Sequence, residues 1–180
     1  MALRNTATGY GLVSKLLHWL IAGCILGLTG LGWWMVGLSY YDSWYNRGLE
    51  LHRAIGMIAL LLASLFLVWK LISRSPGLQS ELAPWEKLGA RAAHGILLLA
   101  MFAIPVTGYA ISTSAGSGFT FFGLFEVPAL LSISDAARDL AIELHYYIAY
   151  GLLGVVAVHA GAAIKHQFID KHGTLRRMLF

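Results

Sequence analysis

Four histidines, His18, His52, His145 and His159, lie near the ends of hydrophobic stretches long enough to cross a membrane. An ionisable side chain at bilayer depth is costly, so as a rule it has a functional partner. A neutral imidazole donates a lone pair to iron and is a common way of holding haem. Two axial imidazoles fill both open iron positions, which blocks dioxygen and leaves one-electron transfer as the chemistry. Four such groups in two layers suit two iron porphyrins, one near each membrane face.

The elements that must position them follow from composition. The chain has 180 residues, of which 58% are hydrophobic and 12% charged. A soluble domain carries about 25% charged residues. Four stretches, 16–38, 49–72, 88–113 and 140–164, reach the roughly 20 apolar residues that a spanning helix needs. They are predicted to be helices, because an open strand in lipid leaves backbone groups unpaired. They also lack the alternation of a membrane barrel. The expectation is an all-α fold, an integral membrane four-helix bundle, formed by a single domain over residues 1–180. The first run is too long for a cleavable signal peptide and lacks a small-residue cleavage site, so it is expected to stay in the membrane. The one cysteine, Cys24, lies inside it and cannot form an internal disulfide.

The net charge of +4 is read as topology, with no nucleic-acid partner expected. Lys and Arg favour the cytoplasmic ends of spans. Arg4, Lys15, Lys70, Arg74, Lys87, Arg91, Lys165, Lys171, Arg176 and Arg177 fall on one side. Only Arg47, Arg53 and Arg138 fall on the other, with six of the nine acids: Asp42, Glu50, Glu126, Asp135, Asp139 and Glu143. With four spans, both termini are predicted cytoplasmic. Residues 39–48 are rich in Tyr and Trp, as at a lipid–water interface. Residues 73–86 contain Pro76, Gly77 and Pro84 and read as an exposed loop. Residues 114–135 hold the run FTFFGLF and are expected to fold over the outer surface as a cap.

Depth then pairs the histidines. His18 lies at the inner start of span one, and His52 at the outer start of span two. In span four, His145 and His159 are fourteen residues apart, which is about 21 Å of rise and about 40° of rotation in an ideal helix. Both therefore point into one face of the bundle, one above the other. The pairs are His18 with His159 at the inner level and His52 with His145 at the outer level. One turn after each comes a small residue, Ala22, Gly56, Ala149 or Ala163, leaving room for a porphyrin.

Other candidates surround these pairs. His94 enters span three near the depth of His18 and His159. It is read as a neighbour that bonds a propionate, a quinone or backbone; ligation in place of His18 is the competing reading. His166 and His172 lie at or beyond the inner end of span four and read as interfacial, with His166 and Lys165 candidates for a quinone site. Arg53, beside His52, is a candidate partner for an outer propionate, against an ordinary snorkelling arginine.

The ordered set of segments resembles the bacterial cytochrome b561 family over nearly the whole chain. The segments are Leu16-Leu17-His18-Trp19, Leu51-His52-Arg53-Ala54-Ile55-Gly56, Ala93-His94-Gly95 and Ile104-Pro105-Val106-Thr107-Gly108-Tyr109. His145 with His159 and the tail from Lys165 to Asp170, then Leu175 to Met178, complete it. The resemblance implies four helices and two haems b in a bacterial inner membrane, with the same four histidines as ligands and ubiquinone as the exchangeable redox substrate. Residues 39–45 and the segment FGLFEVPALL further resemble a subgroup found beside a periplasmic lipocalin-like polyisoprenoid-binding protein.

Three functional readings follow. One is a dihaem cytochrome relaying electrons between the quinone pool and an outer partner. Another is a superoxide oxidase that reduces ubiquinone. A third is the membrane-anchor cytochrome of a dehydrogenase or hydrogenase. The acidic outer side disfavours capture of an anion such as superoxide. A non-redox, histidine-lined metal transporter would need carboxylates along the spans, and these offer almost none between their ends.

Overall fold

The computed structural model describes residues 2–179. Four long helices carry the fold: α1 (Leu12–Met35), α2 (Tyr45–Ile72), α3 (Pro84–Thr113) and α4 (Asp135–Phe168). Each is long and apolar enough to cross a membrane. A hairpin of β1 (Phe119–Phe121) and β2 (Phe125–Val127) sits between α3 and α4, and α5 (Arg176–Leu179) closes the chain. The small sheet is an addition to an otherwise helical architecture.

Every long helix starts four or five residues before its apolar stretch. Hydropathy sees only the part that lies in lipid, whereas at α3 and α4 capping sets where the helix begins. The Ser134 hydroxyl accepts from the Ala137 amide at 3.3 Å, and Asp135 sits in the first turn of α4. Pro84 opens α3, and the Glu86 carboxylate accepts from the Ala83 amide at 3.0 Å. At 34 residues α4 runs about 51 Å, so it projects well past a hydrocarbon core of about 30 Å.

Small residues let the helices approach. Ala54, Ala63, Ala100 and Ala141 are all buried. This fits membrane bundles, where close backbone packing replaces the hydrophobic effect between helices. The packing is a chain of neighbours: α1 on α2, α2 on α3, and α3 on α4. Among the described residues, α4 has no comparable contact with α1 or α2. Slots remain along those two lines.

The hairpin lies over one end of the bundle. Phe119 pairs with Val127, and Phe121 with Phe125, whose rings stack at 4.9 Å. Phe119 is buried, and β1 packs on α2. A Cβ at Gly118 would run into the Val127 carbonyl oxygen, so only glycine lets the strands close there. The Tyr109 hydroxyl donates to the Pro128 carbonyl at 2.8 Å and accepts from the Leu130 amide at 2.9 Å, tying the hairpin's exit to α3.

The opposite, basic end is knitted from three remote segments. The Asn5 amide donates to the Ser73 hydroxyl at 3.0 Å, and its side chain donates to the Ser73 carbonyl at 3.1 Å. The Asn5 Oδ1 accepts from Gly11 N and the Ser14 hydroxyl, at 2.8 and 2.7 Å. Arg177 donates to the carbonyls of Thr8 and Gly77. Trp19 Nε1 donates to the Met178 carbonyl at 3.0 Å. Both terminal segments therefore lie at the same end of the bundle. Most of 73–86 is the expected loop, but it is only partly exposed: Ser73 and Leu82 are buried, Asn5 bonds Ser73, and Thr174 of the tail bonds Gln79.

Candidate functional site

Two histidine pairs face each other across the slots that α4 leaves open. His18 on α1 and His159 on α4 have ring centres 6.3 Å apart. His52 on α2 and His145 on α4 have ring centres 6.1 Å apart. Two imidazoles bound end-on to one metal, with bonds of about 2 Å, place their ring centres roughly 6 Å apart. The spacing of both pairs fits a metal ion such as iron between them.

The His145 ring is held by α3. Its Nδ1 lies 2.9 Å from the Ile104 carbonyl oxygen and 3.1 Å from the Thr107 hydroxyl. A carbonyl oxygen can only accept, so Nδ1 carries the proton and Nε2 presents its lone pair. Such an outer bond fixes the tautomer and orients a metal-binding histidine. Pro105 follows Ile104 within α3 and has no amide proton of its own to donate. His52 differs: its Nδ1 is buried and has no partner among the described residues.

Neighbouring glycines make room for both rings. A Cβ at Gly108 would lie 3.0 Å from His145 Cε1, and one at Gly32 would lie 3.2 Å from His52 Cε1. Sequence reasoning missed these two. It sought small residues one turn along each ligand's own helix, yet Gly56 borders open space while the glycines that matter sit on α1 and α3. The Gly108 signal was present in the run Pro105 to Tyr109.

His94 lies beside the first pair, with its ring centre 5.3 Å from that of His159. This is closer than the His18–His159 spacing. Lys165 and His166 are bonded to two carboxylates at the end of α4. The Lys165 ammonium donates to Glu86 at 3.0 Å and to Asp170 at 2.6 Å. His166 is buried and its Nδ1 is 2.6 Å from the same Asp170 oxygen. Lysine, with histidine behind it, holds the Asp170 carboxyl below the usual carboxylate range. Arg53 stands over the Phe119 ring at 5.8 Å, and its Nε is buried with no hydrogen-bond partner among the described residues. It thus links the helix bearing His52 to the hairpin.

Comparison with known proteins bears on this geometry. Residues 9–180 match the family described as prokaryotic cytochrome b561. The chain is 42% identical to "Cytochrome b561 homolog 2" of Escherichia coli (strain K12), over 99% of this chain and 95% of that protein. It is 27% identical to "Cytochrome b561 homolog 1" of the same organism, over 91% and 92%. A "Probable superoxide oxidase CybB" of Yersinia pestis is 27% identical over 91% of each chain. The chain belongs to the prokaryotic cytochrome b561 family. It is a multi-pass membrane protein of electron transfer, in a family whose working group is haem b.

Proposed function

We propose that this protein is a dihaem b-type cytochrome that passes electrons across the bacterial inner membrane between the ubiquinone pool and an outer-side partner. The observation that carries the reading is the two pairs of facing imidazoles, at 6.3 and 6.1 Å, each between helices that have no extensive contact among the described residues. His18 and His159 would hold the inner haem, and His52 and His145 the outer one. A haem so ligated supplies one-electron transfer without an open iron position. The residues around it hold tautomers and ring planes: Ile104 and Thr107 for His145, Gly32 and Gly108 by leaving space.

His94 fits a neighbouring role better than a ligand role. A ring centre 5.3 Å from that of His159 is shorter than an end-on pair across one iron requires, whereas His18 has that spacing. His94 is then placed to bond a propionate or a quinone head group beside the inner haem. The basic end, where both terminal segments lie, is assigned to the cytoplasm by its Lys and Arg excess. The acidic outer side suits a cationic or neutral quinone-carrying partner, such as a periplasmic polyisoprenoid-binding protein.

A second reading, superoxide oxidation coupled to ubiquinone reduction, is favoured by one relative's name and by Arg53 beside His52. The formal balance of three Lys/Arg against six Asp/Glu on the outer side works against steering an anion there. The reading as a dehydrogenase or hydrogenase anchor has no specific contact to support it.

The test is a haem-to-protein ratio by pyridine haemochrome on the detergent-purified chain, then reduction by ubiquinol. Two b haems reduced by ubiquinol support the relay. One haem per chain sinks the dihaem assignment. Two haems that ignore ubiquinol, yet reduce with superoxide while quinone is consumed, transfer the function to the second reading.

A further inference from the structure

The end of α4 carries a further cluster of ligand-type side chains beyond the two histidine pairs. His166, Asp170 and His172 each offer a ligand atom, and these atoms lie within 4.8 Å of one another. The local spacing is His-x3-Asp-x-His. The first two residues are one helical turn apart. The third is brought back by the backbone: Lys171 adopts φ 60, a left-handed conformation uncommon for a residue with a side chain. The His172 amide then donates to the His166 carbonyl at 2.8 Å. The two rings stack 5.9 Å apart, within 13° of parallel.

Two further features point to a ligand. His172 Nδ1 is buried and has no hydrogen-bond partner among the described residues. An orphaned ring nitrogen in a polar cluster calls for an explanation, and an unseen ion is one. Asp170 is also free to change partner. Its present cation, Lys165, has a second carboxylate in Glu86 at 3.0 Å, so releasing Asp170 leaves the ammonium paired.

We propose that His166, Asp170 and His172 form a site for a divalent transition-metal ion, with zinc the best match to the donor set. Two imidazole nitrogens and one carboxylate oxygen are borderline donors of the kind zinc takes, with water completing the tetrahedron. Calcium or magnesium would call for more oxygen atoms. The site stands apart from the haem pairs. It would fasten the tail, and with it the strand of contacts from Gln79 to Trp19, onto the end of α4.

The test uses the haem-loaded protein in detergent, so that the four membrane histidines are occupied. Equilibrium dialysis against micromolar zinc chloride, followed by metal analysis, should find one zinc per chain in the wild type and none in His172→Ala or Asp170→Asn. A second readout is trypsin, which cuts after Lys171, between two of the ligands. Zinc should slow cleavage there about tenfold or more, and His172→Ala should abolish the protection. Equal zinc in the wild type and both variants would overturn the site. So would unaltered cleavage at Lys171 with zinc present.

Discussion

The Nδ1 of His145 lies 2.9 Å from the carbonyl oxygen of Ile104, which joins α4 to α3 at the level of one histidine pair. Among the described residues, His52, across the slot, has no equivalent bond at its Nδ1. One ring of that pair is fixed and the other is set by space alone. This asymmetry orders the expected effects of substitutions.

Gly108→Ala should be more damaging than Gly32→Ala. The new methyl meets His145 at 3.0 Å, where the ring is tied and cannot retreat. At Gly32 the contact is 3.2 Å and the His52 ring is free to shift. Haem content by pyridine haemochrome should fall by about one per chain in the first variant and change little in the second. Thr107→Val removes one partner of Nδ1 and should weaken retention of that haem by about tenfold. Equal retention in Gly108→Ala and wild type would show that the ring does not sit where it is placed.

Histidine replacements should separate the two levels. His52→Ala and His145→Ala should lose the haem near the hairpin and keep most of the other, read by haem ratio and low-temperature spectra. His94→Ala should keep both irons, because its spacing to His159 is too short for a shared one. A His94→Ala protein with one haem would make His94 a ligand and displace His18.

Asn5→Ala should loosen the basic end without touching the histidines. It strips the Oδ1 acceptor from the Gly11 amide and the Ser14 hydroxyl, and the Nδ2 donor from the Ser73 carbonyl, while the backbone amide of residue 5 keeps its bond to the Ser73 hydroxyl. A loss of about 1–2 kcal/mol is expected in detergent unfolding, with haem content unchanged. No change in the unfolding midpoint would mean that water replaces the network at no cost.

Tyr109→Phe should free the hairpin's exit. The lost hydroxyl bonds Pro128 and Leu130, so hydrogen exchange at the Leu130 amide should accelerate while the unfolding midpoint barely moves. Unaltered exchange would mean that the hairpin is held by Phe119 and Arg53 without that hydroxyl.

The four spans were legible because lipid imposes a composition that a sequence cannot disguise. The two facing pairs were legible as well, from depth and helical period alone. What escaped was set by long-range contacts. Ser73 is buried by Asn5, 68 positions away, and Gln79 is paired with Thr174, 95 positions away. His172 read as solvated because nothing in its composition announces the left-handed Lys171 that folds it back over His166. The hairpin was expected only as a cap, since strands of three residues carry too little pattern to be seen. The glycines beside the imidazoles were hidden because each serves a ring on another helix.

The sharing of α4 has a consequence for how the protein is made. A chain synthesised from its amino terminus delivers His18 and His52 to the bilayer first, each alone. The two facing partners arrive together, on the last long helix. Until that helix inserts, neither pair exists, and an interrupted chain carries three unmatched imidazoles, those of His18, His52 and His94. On the proposed assignment, cofactor loading would be reserved for finished molecules, and a ribosome that stalls before α4 would leave a product unable to conduct stray electrons.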